Sequence, residues 1–99
     1  MKVRWTDQAV EDLRSIRLFI ERDSPRYGRL VAERLYDATS RLELFPYSGR
    51  AVPELERDDI RELIVGDYHI VYRVVDDSAA LLLTIYRSSR LFPWELFEE

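Results

Sequence analysis

Apolar residues recur every three or four positions in the first half of the chain, and at every second position in part of the second half. Residues 3–5 can form a short strand, and Thr6 suits a helix N-cap because its hydroxyl can accept a hydrogen bond from a free backbone N–H. Four apolar residues at helical spacing follow: Ala9, Leu13, Ile16 and Ile20. Charged residues such as Asp12 fall mostly elsewhere, so the pattern predicts an amphipathic helix that runs to about Arg22.

A second helix is predicted after the break at Asp23-Ser24-Pro25. Ser24 can cap this helix, and Pro25 fits its first turn, where the missing N–H costs nothing. Six apolar residues form one stripe along it: Tyr27, Val31, Leu35, Ala38, Leu42 and Phe45. Residues 45–50 end the helix. Because the break is short, the two helices should form an antiparallel hairpin whose apolar faces meet a third layer.

Three segments in the second half of the chain are predicted to be strands because they are rich in Ile, Leu and Val: residues 61–65, 68–75 and 79–86. They are joined by short turns at Gly66-Asp67 and at Asp76-Asp77-Ser78, which requires antiparallel neighbours. Residues 51–59, which contain Pro53 and an acidic run, are interpreted as a loop. The last strand is apolar nearly throughout, as is typical of a central strand.

This order of elements predicts an α+β fold: an N-terminal strand, a helical hairpin and then a three-stranded antiparallel meander, with the helices packed on one face of the sheet. The N-terminal strand should lie beside the third or central strand. With 99 residues and 46% hydrophobic content, the chain should form a single domain over residues 1–99. Residues 88–99 are predicted to form an apolar C-terminal tail.

Charge and cysteine content narrow the functional classes. The net charge is −4, and residues 46–99 carry 6 arginines against 11 carboxylates, which disfavours general nucleic-acid binding unless a local basic cluster supplies it. With no cysteine and one histidine, no residues have metal-ligand spacing, and we expect neither a metal nor a cofactor. The chain lacks a signal-peptide pattern and a long apolar run, so we expect a soluble cytoplasmic protein.

Three motifs follow one another in the middle of the chain: Phe45-Pro46-x-Ser48-Gly49-Arg50, Val52-Pro53-Glu54-Leu55 and Arg61-Glu62-Leu63-x-Val65-Gly66-Asp67-Tyr68-x-Ile70-x-Tyr72-Arg73-Val74. With the preceding strand, helix, Ser-Pro break and helix, they resemble the RelE/ParE toxin superfamily over almost the whole chain. Within it, the chain is most similar to the ParE-like branch, also called plasmid-stabilisation proteins. The resemblance implies a type II toxin–antitoxin toxin that arrests growth and is neutralised by a cognate antitoxin, in a heterotetramer or larger complex.

Two mechanisms divide this superfamily. RelE-like members are ribosome-dependent mRNA endonucleases whose basic strand residues hold the scissile phosphate, whereas ParE-like members are regarded as inhibitors of DNA gyrase. Here His69 stands where the nucleases typically have Arg, and Glu62 and Ile64 stand where basic residues are expected. A carboxylate beside the attacked phosphate would repel it. The resemblance therefore implies a gyrase inhibitor that is not an enzyme and does not itself bind nucleic acid specifically.

The alternative is an mRNA endonuclease with a degenerate site. It would use His69 as general acid or base, together with three arginines of the predicted strands that could line one sheet face: Arg61, Arg73 and Arg87. His69 could equally be an ordinary strand residue. The arginines could form surface ion pairs of small energetic value, as expected for Arg61 with Glu62 and Asp59. A third possibility is a member that binds its antitoxin without being toxic.

The C-terminal tail is the main candidate for binding, because five large apolar side chains occupy the seven positions 91–97 and would form an adhesive patch if exposed. The resemblance implies that this segment takes part in the action on the target. The predicted target- or antitoxin-binding residues are Arg73, Arg87, Arg90, Leu91, Phe92, Trp94 and Leu96. Alternatively, the tail folds back over the sheet or the hairpin, with Trp94 and Leu96 in the core. An exposed sheet edge could also accept an antitoxin strand.

Overall fold

The computed structural model describes residues 2–97 and consists of a five-stranded sheet with two helices on one face. Met1 and the last two residues of the predicted tail, Glu98 and Glu99, lie outside the described residues. In chain order, the elements are β1 (Lys2–Trp5), α1 (Asp7–Glu21), α2 (Pro25–Ser40), β2 (Arg50–Ala51), β3 (Ile60–Val65), β4 (Tyr68–Asp76) and β5 (Ala79–Arg87). Short 3-10 turns at Arg41–Glu43 and Trp94–Leu96 complete them, and the predicted α+β fold is confirmed.

The strands are arranged in the order β1-β5-β4-β3-β2. The predicted meander of β3, β4 and β5 is antiparallel, and β1 lies beside the third strand of the meander as expected. Three details differ from the prediction. β1 runs parallel to β5, so the sheet is mixed. The predicted loop begins with strand β2, because Ala51 pairs with Arg61. The central strand is β4, although β5 is also interior and is apolar because both its faces are covered.

Both predicted N-caps are present. The Thr6 hydroxyl accepts from the backbone N–H of Ala9 at 3.1 Å and donates to the Leu82 carbonyl of β5 at 2.7 Å, so it joins α1 to the sheet. The Ser24 hydroxyl accepts from the N–H of Tyr27 at 3.2 Å. α2 ends at Ser40, earlier than the predicted Phe45, because the chain tightens into the following 3-10 turn.

The two helices cross closely at Gly28 of α2. A Cβ atom at this position would lie 2.5 Å from Cγ of Glu21 and 2.9 Å from the carbonyl oxygen of Arg17. Such distances are well inside van der Waals contact, so only glycine fits at the crossing without a shift of the helices. The hairpin therefore depends on a small residue whose role the apolar stripe did not indicate.

The two faces of the sheet have separate cores. The hairpin core, between the helices and one sheet face, consists of Ala9, Val31, Leu35, Ala38, Leu42, Ile70, Tyr72, Val74, Ala80, Leu82 and Ile85. The tail core, on the other face, consists of Val52, Ile60 and Val71, with Leu55, Leu83, Tyr86, Phe92 and Phe97 packed against them. Tyr27 and Phe45 of the predicted stripe are exposed. No helix among residues 2–97 has the length and apolar content needed to cross a membrane.

The tail, residues 88–97 of the structure, folds back over the sheet on the face opposite the hairpin. Phe92 and Phe97 pack in the tail core, so the tail folds back as the alternative describes, but through residues that the alternative does not name. Trp94 and Leu96 are not core residues, however, because 48% and 41% of their surface is exposed. The short 3-10 turn at Trp94–Leu96 directs them outward while the two phenylalanines point inward.

Candidate functional site

An open groove of about 1060 Å³ separates α1 from the tail at one end of the sheet. One wall is the side of α1 that carries Asp12, Ile16 and Phe19, and the other wall is residues 90–96 of the tail. The end of β5 and the start of β4 contribute Arg87 and Tyr68 between them. We call this the C-terminal groove. It combines apolar walls with two arginines, Arg87 and Arg90, in one concave surface.

Four large apolar side chains line the C-terminal groove and remain exposed. Leu91 is 92% exposed, Phe19 59%, Trp94 48% and Leu96 41%. Such side chains are the usual anchors of protein interfaces when they cluster in a concave surface. The groove is therefore suited to hold an apolar segment of another macromolecule.

Six of the seven predicted binding residues line this groove: Arg87, Arg90, Leu91, Phe92, Trp94 and Leu96. Arg73 does not. It lies on β4 opposite Ile60, on the sheet face of the tail core, and its Nε is 3.7 Å from Oδ2 of Asp59. The structure thus brings the tail residues together with α1 and leaves Arg73 outside the group. The binding role of the six residues stays a prediction.

Aromatic contacts hold the tail in place through Phe92. Its ring meets the edge of Tyr86 with 6.1 Å between centroids, lies 4.9 Å from the Trp94 ring, and stacks on Phe97 at 5.3 Å. Aromatic pairs of this kind contribute beyond the area they bury. Phe92 is therefore the anchor that fixes the tail, which leaves Leu91 free to face solvent.

A carboxylate of α1 joins one wall of the groove to β5. Oδ2 of Asp12 accepts from the Thr84 hydroxyl at 2.5 Å and from the backbone N–H of Ile85 at 3.1 Å. These donors lie at a β-bulge, where Val71 pairs with Thr84 but the next residue of β4 pairs with Leu82, so that one residue of β5 is extra. The apolar stripe of α1 predicts that charged residues such as Asp12 lie away from the core. Asp12 instead satisfies polar groups that the bulge would otherwise leave unpaired.

A second polar cluster lies on the face of the sheet under the tail. Glu62 has a side chain that is only 1% exposed, and its Oε1 accepts from Nδ1 of His69 at 2.7 Å and from Arg50 at 3.1 Å. The His69 ring stacks on Tyr86 with 4.9 Å between centroids. Burial, followed by the negative charges of Glu62 and Glu54, raises the pKa of Tyr86 to about 12. We call Glu62, His69 and Tyr86 the buried polar cluster, and Arg50, whose side chain is 56% exposed, lies at its edge.

The buried polar cluster was missed at the level of sequence, although the turn between β3 and β4 indicates it. A two-residue turn makes Val65 the partner of Tyr68 and therefore Ile64 the partner of His69. Glu62 is then the diagonal neighbour of His69 on the same face, a distance that long side chains can span. Within residues 2–97, no group of three His, Asp or Glu residues could hold a metal ion.

The three predicted strand arginines do not line one sheet face. Residues paired across a ladder share a face, and Arg61 pairs with Tyr72 and Arg87 with Tyr68, both of which pack with the hairpin core. Arg73 pairs with Ile60 of the tail core and so lies on the other face. The expected common basic patch is therefore wrong.

Arg61 has a local structural role. Its guanidinium donates to the carbonyl oxygens of Gly49 at 3.0 Å and Asp58 at 3.1 Å, and it lies over the Tyr47 ring at 4.9 Å. The expected ion pairs with Glu62 and Asp59 are absent from the described contacts, because Arg50 and Arg57 occupy those carboxylates instead. Arg61 thus stabilises the loop before β2.

Comparisons with known proteins agree with this geometry. A family model described as the ParE toxin of the type II toxin–antitoxin system, parDE, matches residues 3–92. Two relatives are each 32% identical. The protein named toxin Y4kP from Sinorhizobium fredii aligns over 94 residues, 93% of either chain, and that named toxin RelE2 from Caulobacter vibrioides aligns over 90 residues, 91% of this chain and 98% of the relative.

Two solved structures share the fold. The chromosomal ParDE toxin–antitoxin system from P. aeruginosa contains a chain with a TM-score of 0.72 and 21% identity, covering 88% of this chain and 95% of that one. The toxin–antitoxin complex RelBE2 from Mycobacterium tuberculosis contains one with a TM-score of 0.57 and 25% identity, covering 87% and 95%. The arrangement of sheet and hairpin is therefore common to chains from both kinds of complex.

Proposed function

Because this chain belongs to the ParE toxin family of type II toxin–antitoxin systems, we propose that it arrests growth by binding and inhibiting DNA gyrase, and not by cutting RNA. A cognate antitoxin neutralises it, and both events take place in the cytoplasm. The resemblance to ParE-like toxins implies gyrase as the target. The geometry of the described residues supports a mechanism of binding.

The observation that carries the proposal is the placement of Glu62 beside the lone histidine. A phosphate brought to His69 would meet the Glu62 carboxylate, whose oxygen lies 2.7 Å from the imidazole nitrogen. Two such charges 4 Å apart repel by about 1 kcal/mol in water, and by more where water is excluded. Arg61 is held by backbone carbonyls, and Arg73 and Arg87 lie on opposite sheet faces, so these side chains do not converge on a phosphate.

We propose that the C-terminal groove is the surface that contacts gyrase or the antitoxin. Leu91, Trp94 and Leu96 supply apolar anchors, and Arg87 and Arg90 supply hydrogen-bond donors at its rim. A few anchors of this kind carry most of the energy of an interface. Since Leu91 is 92% exposed, its side chain is available to a partner and contributes little to the fold.

Inhibition of DNA supercoiling by purified gyrase tests this proposal. We expect the wild-type protein to inhibit the reaction and Leu91→Ala or Trp94→Ala to raise the concentration needed by at least about tenfold, the effect of losing one interface anchor. Leu44→Ala is the matched control, because Leu44 is 79% exposed and does not line the groove. Equal potency of the Leu91 and Leu44 variants would contradict the assignment of the groove, and no inhibition by the wild type would contradict the target.

One observation favours the endonuclease as a second candidate. A carboxylate that accepts from one imidazole nitrogen orients the ring and leaves the other nitrogen to exchange a proton, as in many general bases, and Glu62 holds His69 in this way. Primer extension on cellular transcripts after induction separates the two candidates. Codon-phased cleavage that disappears in His69→Ala would establish the endonuclease, and intact transcripts during growth arrest would exclude it.

A further inference from the structure

The charges of this acidic protein are unevenly distributed between the hairpin segment of residues 14–34, which surrounds the turn between the two helices, and the rest of the chain. Residues 14–34 contain six arginines and three carboxylates, whereas the rest of the chain contains nine basic and sixteen acidic residues. The hairpin segment therefore carries a net charge of +3 and the remainder −7. A protein with an acidic total can still attract a polyanion to such a basic end, because the field at short range depends on the nearest charges.

Most of these arginines lack a carboxylate partner. The ion pair between Arg17 and Glu21, at 3.6 Å, is the one that involves an arginine of residues 14–34 among the described contacts. Five others are exposed and form no ion pair with any residue of 2–97: Arg34, and the four nearer the turn of the hairpin, Arg14, Arg22, Arg26 and Arg29. Arg22 lies over the Phe19 ring at 5.8 Å, which leaves its charge available. We call these four residues the hairpin arginine face.

Helical geometry places Arg14, Arg26 and Arg29 away from the buried stripes of their helices, and Arg22 directly follows the last residue of α1. On α1, Leu13, Ile16 and Ile20 pack towards the core, and Arg14 is one step round the helix from that stripe. On α2, Arg26 and Arg29 are three residues apart and so neighbour each other, away from the buried side of Val31.

The two helices cross closely at Gly28, which lies between Arg26 and Arg29 in the sequence and meets Arg17 and Glu21 of α1. Because α1 rises about 1.5 Å per residue, Arg14 and Arg22 are about 12 Å apart along its axis. A DNA strand places one phosphate about every 3.4 Å along the helix axis, so the surface spans several phosphates.

We propose that the hairpin arginine face binds the phosphate backbone of duplex DNA without sequence preference. The arginine guanidinium matches phosphate geometry and is always charged, which suits backbone contact and carries no base information. An acidic protein segment is the competing occupant. It would use apolar anchors, and Leu18, Phe19, Tyr27 and Leu30 are exposed on the same two helices, so competition with an acidic peptide decides between the two occupants. The proposal does not depend on gyrase being the target.

Fluorescence anisotropy with a labelled duplex of about 20 base pairs tests the proposal on the purified full chain. Each phosphate contact contributes about 0.9 to the slope of log affinity against log salt, so four contacts predict a loss of about 150-fold between 50 and 200 mM salt. The combined variant Arg14→Gln, Arg26→Gln and Arg29→Gln should lower this slope by about 2.7. An unrelated duplex should bind equally well.

The matched control is the triple variant Lys2→Gln, Arg4→Gln and Arg41→Gln, which changes the net charge by the same amount outside residues 14–34. Its affinity for DNA should be within about twofold of that of the wild type, because salt screens the attraction between DNA and charges that do not contact it. Thermal unfolding by circular dichroism confirms that both triple variants are folded. Equal losses in the two variants, or a salt slope near zero for the wild type, would overturn the proposal. So would a polyglutamate peptide that competes better than DNA of equal charge.

Discussion

The two faces of the sheet are covered by different kinds of structure. The hairpin face is sealed by two capped helices over a core of fully buried apolar residues such as Leu35 and Leu82. The other face is covered by a short irregular tail that is held through Phe92 and lies over the hydrogen-bonded pair Glu62 and His69. The comparison indicates that the hairpin face supplies most of the stability, while the tail places side chains where a partner can reach them.

The largest expected effect is the loss of stability when a core side chain is shortened, which should be greater in the hairpin core than in the tail core. Leu35→Ala removes a fully buried side chain from the hairpin core and should lower the free energy of unfolding by about 3 to 4 kcal/mol. Phe92→Ala removes more atoms, but its side chain is only partly buried, so the loss should be about 2 kcal/mol. Urea denaturation measures both. A larger loss for Phe92→Ala would show that the tail face is the main source of stability.

A smaller effect is expected at the helix crossing. Gly28→Ala gains helix propensity of about 1 kcal/mol but forces backbone and side-chain atoms apart, which typically costs about 1 to 3 kcal/mol. Since the new Cβ would meet the Arg17 carbonyl oxygen at 2.9 Å, we expect a net loss of about 1 kcal/mol in the free energy of unfolding. Urea denaturation that shows the variant to be more stable than the wild type would mean that the hairpin face is less tightly packed than described.

The pH dependence of stability sharpens the description of the tail face. The Tyr86 pKa is about 12 in the folded protein, above the ordinary value of 10.0, because burial and nearby carboxylates disfavour the phenolate. An acid whose folded pKa is raised stabilises the fold fully below pH 10, and that contribution is lost between pH 10 and about 12. Tyr86→Phe should therefore flatten the fall in stability over this interval, measured by denaturation at several pH values. A fall identical to that of the wild type would contradict the buried position of Tyr86.

Local signals in the sequence determine much of the hairpin face. Thr6 and Ser24 cap the helices through contacts within three residues, and apolar periodicity places Leu35 and Ile70 in the core. The side of α1 that lines the C-terminal groove depends on a contact between residues far apart in the sequence, which the local patterns do not indicate. The Asp12 bond to Thr84 joins residues 72 positions apart, which no helical period indicates.

The sequence likewise predicts part of the candidate site and not the rest. The apolar composition of residues 91–97 predicts a binding role for the tail. Six of the seven predicted binding residues, five in the tail and Arg87 at the end of β5, line the groove. Composition could not show that Phe92 turns inward while Leu91 remains exposed. Arg73 belongs to the predicted group because arginines on neighbouring strands can share a sheet face, but the pairing of β3 with β4 puts Arg73 on the other face.

Growth arrest in cells without antitoxin tests the central claim most directly, namely that the protein acts by adhesion through the C-terminal groove. Induction of His69→Gln should stop growth as the wild type does, whereas Leu91→Ala should lose toxicity and Leu44→Ala should keep it, at equal soluble protein levels by immunoblot. Leu91 and Leu44 are both largely exposed, so neither substitution should disturb folding. Loss of toxicity in His69→Gln together with full toxicity of Leu91→Ala would contradict the account.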